Sequence, residues 1–141
     1  MSEAKHALPK PLPEMSGLSG EFYGWCNKGE LRFQRCTQCQ RWRHVPREIC
    51  AHCGSFDWSW QQSSGHGRVF SWTEVVRALH PAFGDVTPYA PVIVEMDEGV
   101  RVLSRVLDCP ADQLRMDMPL TVEFVAASDS VRLPYFRRRD G

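Results

Sequence analysis

Apolar residues near the start of the chain recur at helical spacing. Leu18, Phe22, Trp25 and Cys26 fall on one side of a helix over residues 18–28, and Gly29 stands where a helix would end. The pattern therefore predicts a short amphipathic helix. A helix of this length is marginal alone, so its apolar face must pack against the rest of the chain or another protein.

The next forty residues show short strand patterns around four cysteines. Residues 31–35 alternate apolar and polar side chains, as a strand would, and residues 43–46 can return from that strand. Further on, Phe56, Trp58 and Trp60 are predicted to share one face of a strand. Residues 63–67, which read Ser-Ser-Gly-His-Gly, break the pattern and mark a boundary between two modules.

The second half of the chain is predicted to be all-β. The strand-like segments are residues 68–77, 92–96, 100–106, 120–125 and 131–136. A hairpin turn is expected at residues 97–99, and a helical turn over residues 108–114 begins at Pro110. Five strands with a helical turn before the fourth are typical of an OB-fold barrel.

These patterns predict a mainly β fold, in which an N-terminal helix and a rubredoxin-like zinc ribbon precede a five-stranded OB-fold barrel. The predicted division is a flexible arm over residues 1–17, helix plus ribbon over 18–62, an OB-fold domain over 63–137 and a basic tail over 138–141. Three prolines and no apolar periodicity indicate the arm.

Four cysteines form two Cys-x-x-Cys pairs separated by ten residues, which is metal-ligand spacing. We predict one structural, tetrahedral zinc bound by Cys36, Cys39, Cys50 and Cys53. Iron suits the same sulfur set and stays an alternative, as do two disulfides, a redox pair or four unrelated core cysteines. His44 and His52 lie in the same segment and are interpreted as solvated loop histidines.

Composition narrows the class of protein. The 141 residues are 43% hydrophobic, with 17 basic and 17 acidic side chains, and no stretch approaches a membrane span. The first fifteen residues carry charges and no apolar run, so no secretory signal is indicated. We therefore expect a cytoplasmic, reducing location, which favours metal over disulfides and leaves Cys26 and Cys109 as packed free thiols.

Charge is distributed unevenly along the chain. Residues 28–48 carry six basic and two acidic side chains, a balance of +4, whereas residues 85–129 carry nine acidic and three basic ones, a balance of −6. A basic ribbon suits contact with an anion such as nucleotide phosphates, attraction between the two halves, or simply a solvated face.

Several motifs in order along the chain carry a resemblance to a known family. They are residues 22–54, the glycine-bounded strand at 65–71, the proline-entered hairpin at 88–100, the turn at 116–122 and the ending at 133–137. Together they resemble the family of zinc-ribbon plus OB-fold acyl-CoA-associated proteins. Two departures are Gln40 and Asp117, which stand where this family commonly has glycine and where a positive φ is therefore expected.

The resemblance implies a non-catalytic accessory subunit of a thiolase-like enzyme, either condensing, thiolytic or aldolase, in acyl-CoA metabolism. It implies a hetero-oligomer with acyl-CoA at or near the shared interface, in which this subunit stabilises the partner and its acyl-CoA site. Relatives also occur beside hydratases. The family supplies no catalytic residue that matches this chain, and the residues contacting CoA are unknown.

Motif inspection points the same way, since no Ser-His-Asp order, phosphate loop or HExxH sequence is present, and His6, His66 and His80 lack a nucleophile partner. Two other classes stay open. A nucleic-acid-binding protein could stack bases on Phe70, Trp72 and Tyr89, although the acidic second half opposes phosphate contacts. A small redox protein could hold iron at the four cysteines.

Overall fold

The computed structural model describes residues 10–140. The first nine residues of the predicted arm, including His6, therefore lie outside the described residues. Residues 10–15 form neither helix nor strand. Lys10 Nζ donates to Asp85 at 2.9 Å, so this segment starts beside the loop that precedes the second barrel strand. No helix within residues 10–140 is long and apolar enough to cross a membrane.

The predicted helix forms as α1, Gly17–Asn27. Phe22 and Cys26, one turn apart, are its buried residues, as helical spacing requires. The helix ends where expected, because Gly29 adopts a φ of 78° and donates its N–H to the Cys26 carbonyl at 2.9 Å.

A small antiparallel sheet follows, built from β1 (Arg32–Cys36), β2 (Trp42–Arg43) and β3 (Trp58–Gln62) in the order β2-β1-β3. Two details differ from the sequence prediction. The returning strand ends at Arg43, because residues 44–47 leave the sheet to pack on the side chain of Gln34. Phe56 precedes β3 and is 69% exposed, whereas Trp58 and Trp60 share a face as predicted, with ring centroids 5.2 Å apart.

The second sheet is the predicted five-stranded OB-like structure, and the mainly β fold class is confirmed. Its strand order is β6-β5-β4-β7-β8, and all neighbours are antiparallel. A parallel bridge between Val106 and Phe136 joins the two edges of the curled sheet. The strands are β4 (His66–Trp72), β5 (Val92–Met96), β6 (Arg101–Ser104), β7 (Pro119–Ala126) and β8 (Arg132–Arg138).

The predicted strand over residues 68–77 is wrong at its end, since β4 stops at Trp72. Trp72 pairs with Val92, the first residue of β5, and Pro91 before it has no N–H to continue the ladder. Beyond this point, an isolated bridge between Val75 and Tyr89 joins the chain to the segment before β5. A long loop results, and it presents Val76 and Leu79 with exposures of 73% and 92%.

One hydrophobic core runs through the helix, the small sheet and the barrel. Phe22 of α1 and Phe33 of β1 belong to the same buried cluster as Val69, Leu120 and Phe136 of the barrel. Polar links reinforce the packing: Asn27 Oδ1 accepts from the Arg132 N–H, and Asn27 Nδ2 donates to the Ser130 carbonyl, each at 2.8 Å. The helix is therefore fixed against both modules.

Candidate metal centre

Two matching turns bring the four predicted cysteines together. Cys36 ends β1, and the Gln40 N–H donates to its carbonyl at 2.9 Å; in the second turn the Gly54 N–H donates to the Cys50 carbonyl at 2.8 Å. Both turns close on a residue with positive φ, 69° at Gln40 and 79° at Gly54. Gln40 thus adopts the left-handed conformation expected where the family commonly has glycine.

The four sulfur atoms have the spacing of a tetrahedral metal site. All lie within 4.8 Å of one another, and the Cys36–Cys53 and Cys39–Cys50 sulfur distances are 3.6 and 3.7 Å. A zinc ion with metal–sulfur bonds of about 2.3 Å requires sulfur–sulfur edges of about 3.8 Å. The residues present therefore fit zinc, and four sulfurs fill the coordination sphere.

Backbone groups favour thiolates at two of these positions. The N–H groups of Cys53 and His52 donate to the Cys50 sulfur and lower the pKa of this thiol to about 6. The Cys39 N–H, 3.4 Å from the Cys36 sulfur, likewise lowers the pKa of Cys36. A metal ion needs deprotonated thiols, so these turns are prepared for a cation.

Cys53 shows the opposite shift. The Ser55 N–H acts to lower its pKa, but partial desolvation of the thiol and its hydrogen bonds to the other three thiols raise the pKa to about 12. Four sulfurs this close cannot all become anions without a cation between them. This crowding is itself a feature of a metal centre.

The two histidines of the segment behave differently. His52 is exposed, as predicted for a solvated loop residue. The same prediction for His44 is wrong, because its ring packs 4.9 Å from the Phe22 ring and 5.1 Å from the Phe33 ring. Burial lowers the pKa of His44 to about 4, so its ring is neutral near neutral pH.

Sequence reasoning also missed Gln34, which is fully buried in the central strand of the small sheet. Its side-chain oxygen accepts from the Arg47 N–H and its nitrogen donates to the Arg47 carbonyl, both at 2.7 Å. Strict alternation would place Gln34 on a solvated face opposite Phe33. No local signal marks it, because residues 44–47 cover that face only in the folded chain.

The other candidate residues serve packing or local structure. Cys26 is fully buried, and burial raises the pKa of its thiol to about 12. Cys109 is also buried, and His80 Nδ1 accepts from the Ala82 N–H in a 3-10 turn. Of the residues considered for stacking bases, Phe70 is covered by the Arg101 guanidinium, 3.8 Å from the ring centroid.

Comparison with known proteins agrees with this zinc ribbon followed by an OB-like sheet. A family model described as "ChsH2, rubredoxin-like zinc ribbon domain" matches residues 26–59, and one described as "ChsH2, C-terminal OB-fold domain" matches residues 60–125. A solved structure described as "Ltp2-ChsH2(DUF35) aldolase" has a TM-score of 0.81 at 31% identity, over 90% of this chain and 98% of that one.

Two curated relatives match this chain over different shares of their own lengths. A "Probable enoyl-CoA hydratase alpha subunit" of Thermomonospora curvata is 32% identical over 96% of this chain, and a "DUF35 domain-containing scaffold protein" of Methanothermobacter thermautotrophicus is 34% identical over 61%. This chain spans 42% of the first relative and 65% of the second.

These matches confirm the resemblance drawn from the sequence motifs. The fold defines a zinc-ribbon and OB-fold protein. Within that class, the chain belongs to the ChsH2 (DUF35) family.

Proposed function

We propose that this chain is a non-catalytic, zinc-binding accessory subunit that associates with a thiolase-like catalytic subunit acting on acyl-CoA substrates. The observation that carries the proposal is the match over 98% of a chain from the structure described as "Ltp2-ChsH2(DUF35) aldolase". That protein's name joins ChsH2 to a second protein, Ltp2, under one enzymatic activity. The scaffold proteins among the relatives support the same accessory role.

In this proposal Cys36, Cys39, Cys50 and Cys53 bind a structural zinc, with iron as the alternative metal. Four sulfur ligands leave no position for water or substrate, so the metal holds the ribbon in shape and takes no part in chemistry. The division into residues 1–17, 18–62, 63–137 and 138–141 is likewise proposed as the functional layout.

The partner surface is proposed to include the loop between β4 and β5, together with residues 10–15 and α1. Exposed apolar side chains support this choice, since Leu79 and Val76 of the loop are 92% and 73% exposed. Buried apolar side chains at the centre of an interface supply most of its binding energy. A stable interface buries about 1,200–2,000 Å² in total, which these three segments together could supply.

Co-expression with a thiolase-like protein encoded beside this chain tests the proposal. We expect the two to elute together in size-exclusion chromatography, and carbon–carbon bond formation or cleavage on a CoA thioester to need both. Leu79→Asp should weaken the complex, whereas Met116→Asp, at a side chain 60% exposed outside the proposed surface, should not. Separate elution together with unchanged activity of the larger protein would refute the accessory role.

A hydratase partner is the second candidate, favoured by the names of two relatives. One is the Thermomonospora protein described above. The other is a "3-oxo-4,17-pregnadiene-20-carboxyl-CoA hydratase alpha subunit" of Mycobacterium tuberculosis, which is 28% identical over 83% of this chain. Repeating the experiment with a hydratase-like partner and an enoyl-CoA hydration assay separates the two candidates.

A further inference from the structure

A cavity of about 440 Å³ lies between the ribbon and the hairpin that joins β5 to β6. Its lining includes Arg41, Arg43 and Arg47 from the ribbon and Arg101 from the hairpin, and no aspartate or glutamate. Sites for small molecules commonly enclose about 300–1,000 Å³. The cavity, called the basic cavity below, therefore has the size of a ligand site and a positive charge.

The ribbon arginines of the basic cavity have no acidic partner within residues 10–140. Seven ion pairs occur in this part of the chain, and none includes Arg41, Arg43 or Arg47. None of the seven joins the basic ribbon to an acid of the barrel either. The attraction between halves considered from the sequence is therefore not realised as ion pairs, and the ribbon's charge is available to another anion.

The buried side chain of Gln34 holds the Arg43 guanidinium and the Arg47 backbone in place. Gln34 fixes Arg47 through both its backbone N–H and its carbonyl, and its oxygen also accepts from Arg43 Nε at 3.1 Å. Arg43 Nη1 is buried and has no hydrogen-bond partner among the described residues. Because the Arg43 donors are fixed before binding, Arg43 loses less entropy when a ligand arrives.

The metal centre does not account for all of this charge. Cys50 belongs to the cavity lining, and a zinc ion with four thiolates carries two net negative charges. Arg101 is already paired with Glu95 at 3.5 Å, and the three ribbon guanidinium groups without an acidic partner exceed this charge by one. Like charges gathered without a counter-ion repel one another, so an additional anion in the cavity would be stabilising.

We propose that the basic cavity binds the phosphate groups of a nucleotide, in the present case the 3′-phospho-ADP portion of a CoA thioester. The identity of the nucleotide rests on the proposed function; the phosphate chemistry rests on the arginines. Guanidinium groups bind phosphate oxygens in bidentate pairs. Gly99, at the tip of the hairpin, has no atom within 4 Å of where a Cβ would stand and leaves that wall open to a ligand.

The test uses the full, metal-loaded chain and isothermal titration calorimetry. CoA and 3′,5′-ADP should bind, with affinity that falls as salt is added, whereas pantetheine, which lacks phosphate, should not. Arg41 and Arg47 are exposed and their side chains make no hydrogen bond among the described residues, so Arg41→Gln/Arg47→Gln should preserve the fold. We expect the double variant to bind both nucleotides at least about tenfold more weakly, the loss expected when charged hydrogen bonds are removed.

Arg139→Gln is the matched control, because Arg139 is exposed, lies outside the cavity and is not part of the proposed partner surface. It should bind like the parent chain. The proposal is overturned if neither nucleotide binds, if pantetheine binds as well as CoA, or if the double variant binds unchanged. Tighter binding of a single-stranded oligonucleotide than of CoA would assign the cavity to nucleic acid and equally overturn it.

The metal content of the double variant is measured as well. Loss of metal would show that Arg41 and Arg47 support the cysteine cluster and do not form a ligand site. Complex formation with the thiolase-like partner is measured separately. Nucleotide binding without a complex would refute the proposed function alone, and a functional complex without nucleotide binding would refute this inference alone.

Discussion

His44 packs against aromatic side chains although the residues around it in the sequence are mostly polar. Its segment is polar and rich in arginine, which favours a solvated loop, yet the ring lies between Phe22 of α1 and Phe33 of β1. The ring thereby fills a gap between helix and ribbon. Neither aromatic partner is near His44 in the sequence, so local pattern carries no sign of the contact.

This packing gives the protein a predictable response to acid. The pKa of His44 is about 4 in the folded chain, against about 6.5 when unfolded. Above pH 6.5 both states are neutral and pH has no effect through this group. As pH falls from 6.5 towards 4, the unfolded chain takes up the proton first, so the free energy of unfolding should decrease by at most about 3 kcal/mol.

Urea denaturation at several values between pH 7.5 and pH 4.5 measures the effect. Because the cysteine cluster also titrates, the quantity to compare is the difference between the parent chain and His44→Leu. The variant should lose the part of the pH dependence that belongs to His44. Parallel pH profiles would show that the His44 ring is not buried in the folded protein.

At the scale of elements, sequence pattern located strands better than it located their ends. β5 coincides with the predicted residues 92–96, because this short apolar run is bounded by Pro91 at one end and a turn at the other. β4 and β6 are shorter than predicted, since a strand lasts only as long as a neighbour pairs with it. That depends on register across the sheet, which periodicity does not report.

Gly67 illustrates a constraint imposed by one strand on another. It lies in β4 beside β5, and a Cβ at this position would stand 2.7 Å from the Glu95 carbonyl oxygen and 2.9 Å from Val94 Cγ1. The carbonyl belongs to the backbone and cannot easily move. Glycine here is therefore required by close approach of the two strands, and not by its own φ.

We predict that Gly67→Ala lowers the free energy of unfolding by about 1–3 kcal/mol, the usual cost of an overpacked site. Gly24→Ala is the matched control, because Gly24 lies inside α1 and a Cβ there meets nothing within 4 Å. That change should raise stability by up to about 1 kcal/mol through helix propensity. Thermal and urea unfolding of both variants measure these changes. If Gly67→Ala and Gly24→Ala change the free energy of unfolding equally, β4 and β5 do not approach this closely.

For the whole molecule, the sequence motifs were sufficient to predict the family, the order of the two modules and the clustering of four cysteines. They did not reveal the basic cavity, because its arginines come from segments more than fifty residues apart in the chain. They also did not show that Phe22 and Leu31 share a core with Val69 and Phe136. Both features exist only once the ribbon has packed against the barrel.

This shared core makes the metal a determinant of stability for the entire chain. Structural zinc sites contribute about 10–16 kcal/mol of metal-coupled folding energy, and α1 and β1 pack directly from the ribbon onto barrel residues. We expect one zinc or iron per chain by metal analysis, and Cys50→Ala should lose it. The thermal transition of the barrel should fall together with that of the ribbon, and a chelator should lower the parent chain's melting temperature in the same way.

Cys109→Ala, a buried cysteine outside the cluster, is the control that should keep the metal. A full equivalent of metal in Cys50→Ala would remove this cysteine from the ligand set, and an unchanged barrel transition after metal loss would show that the two modules fold independently.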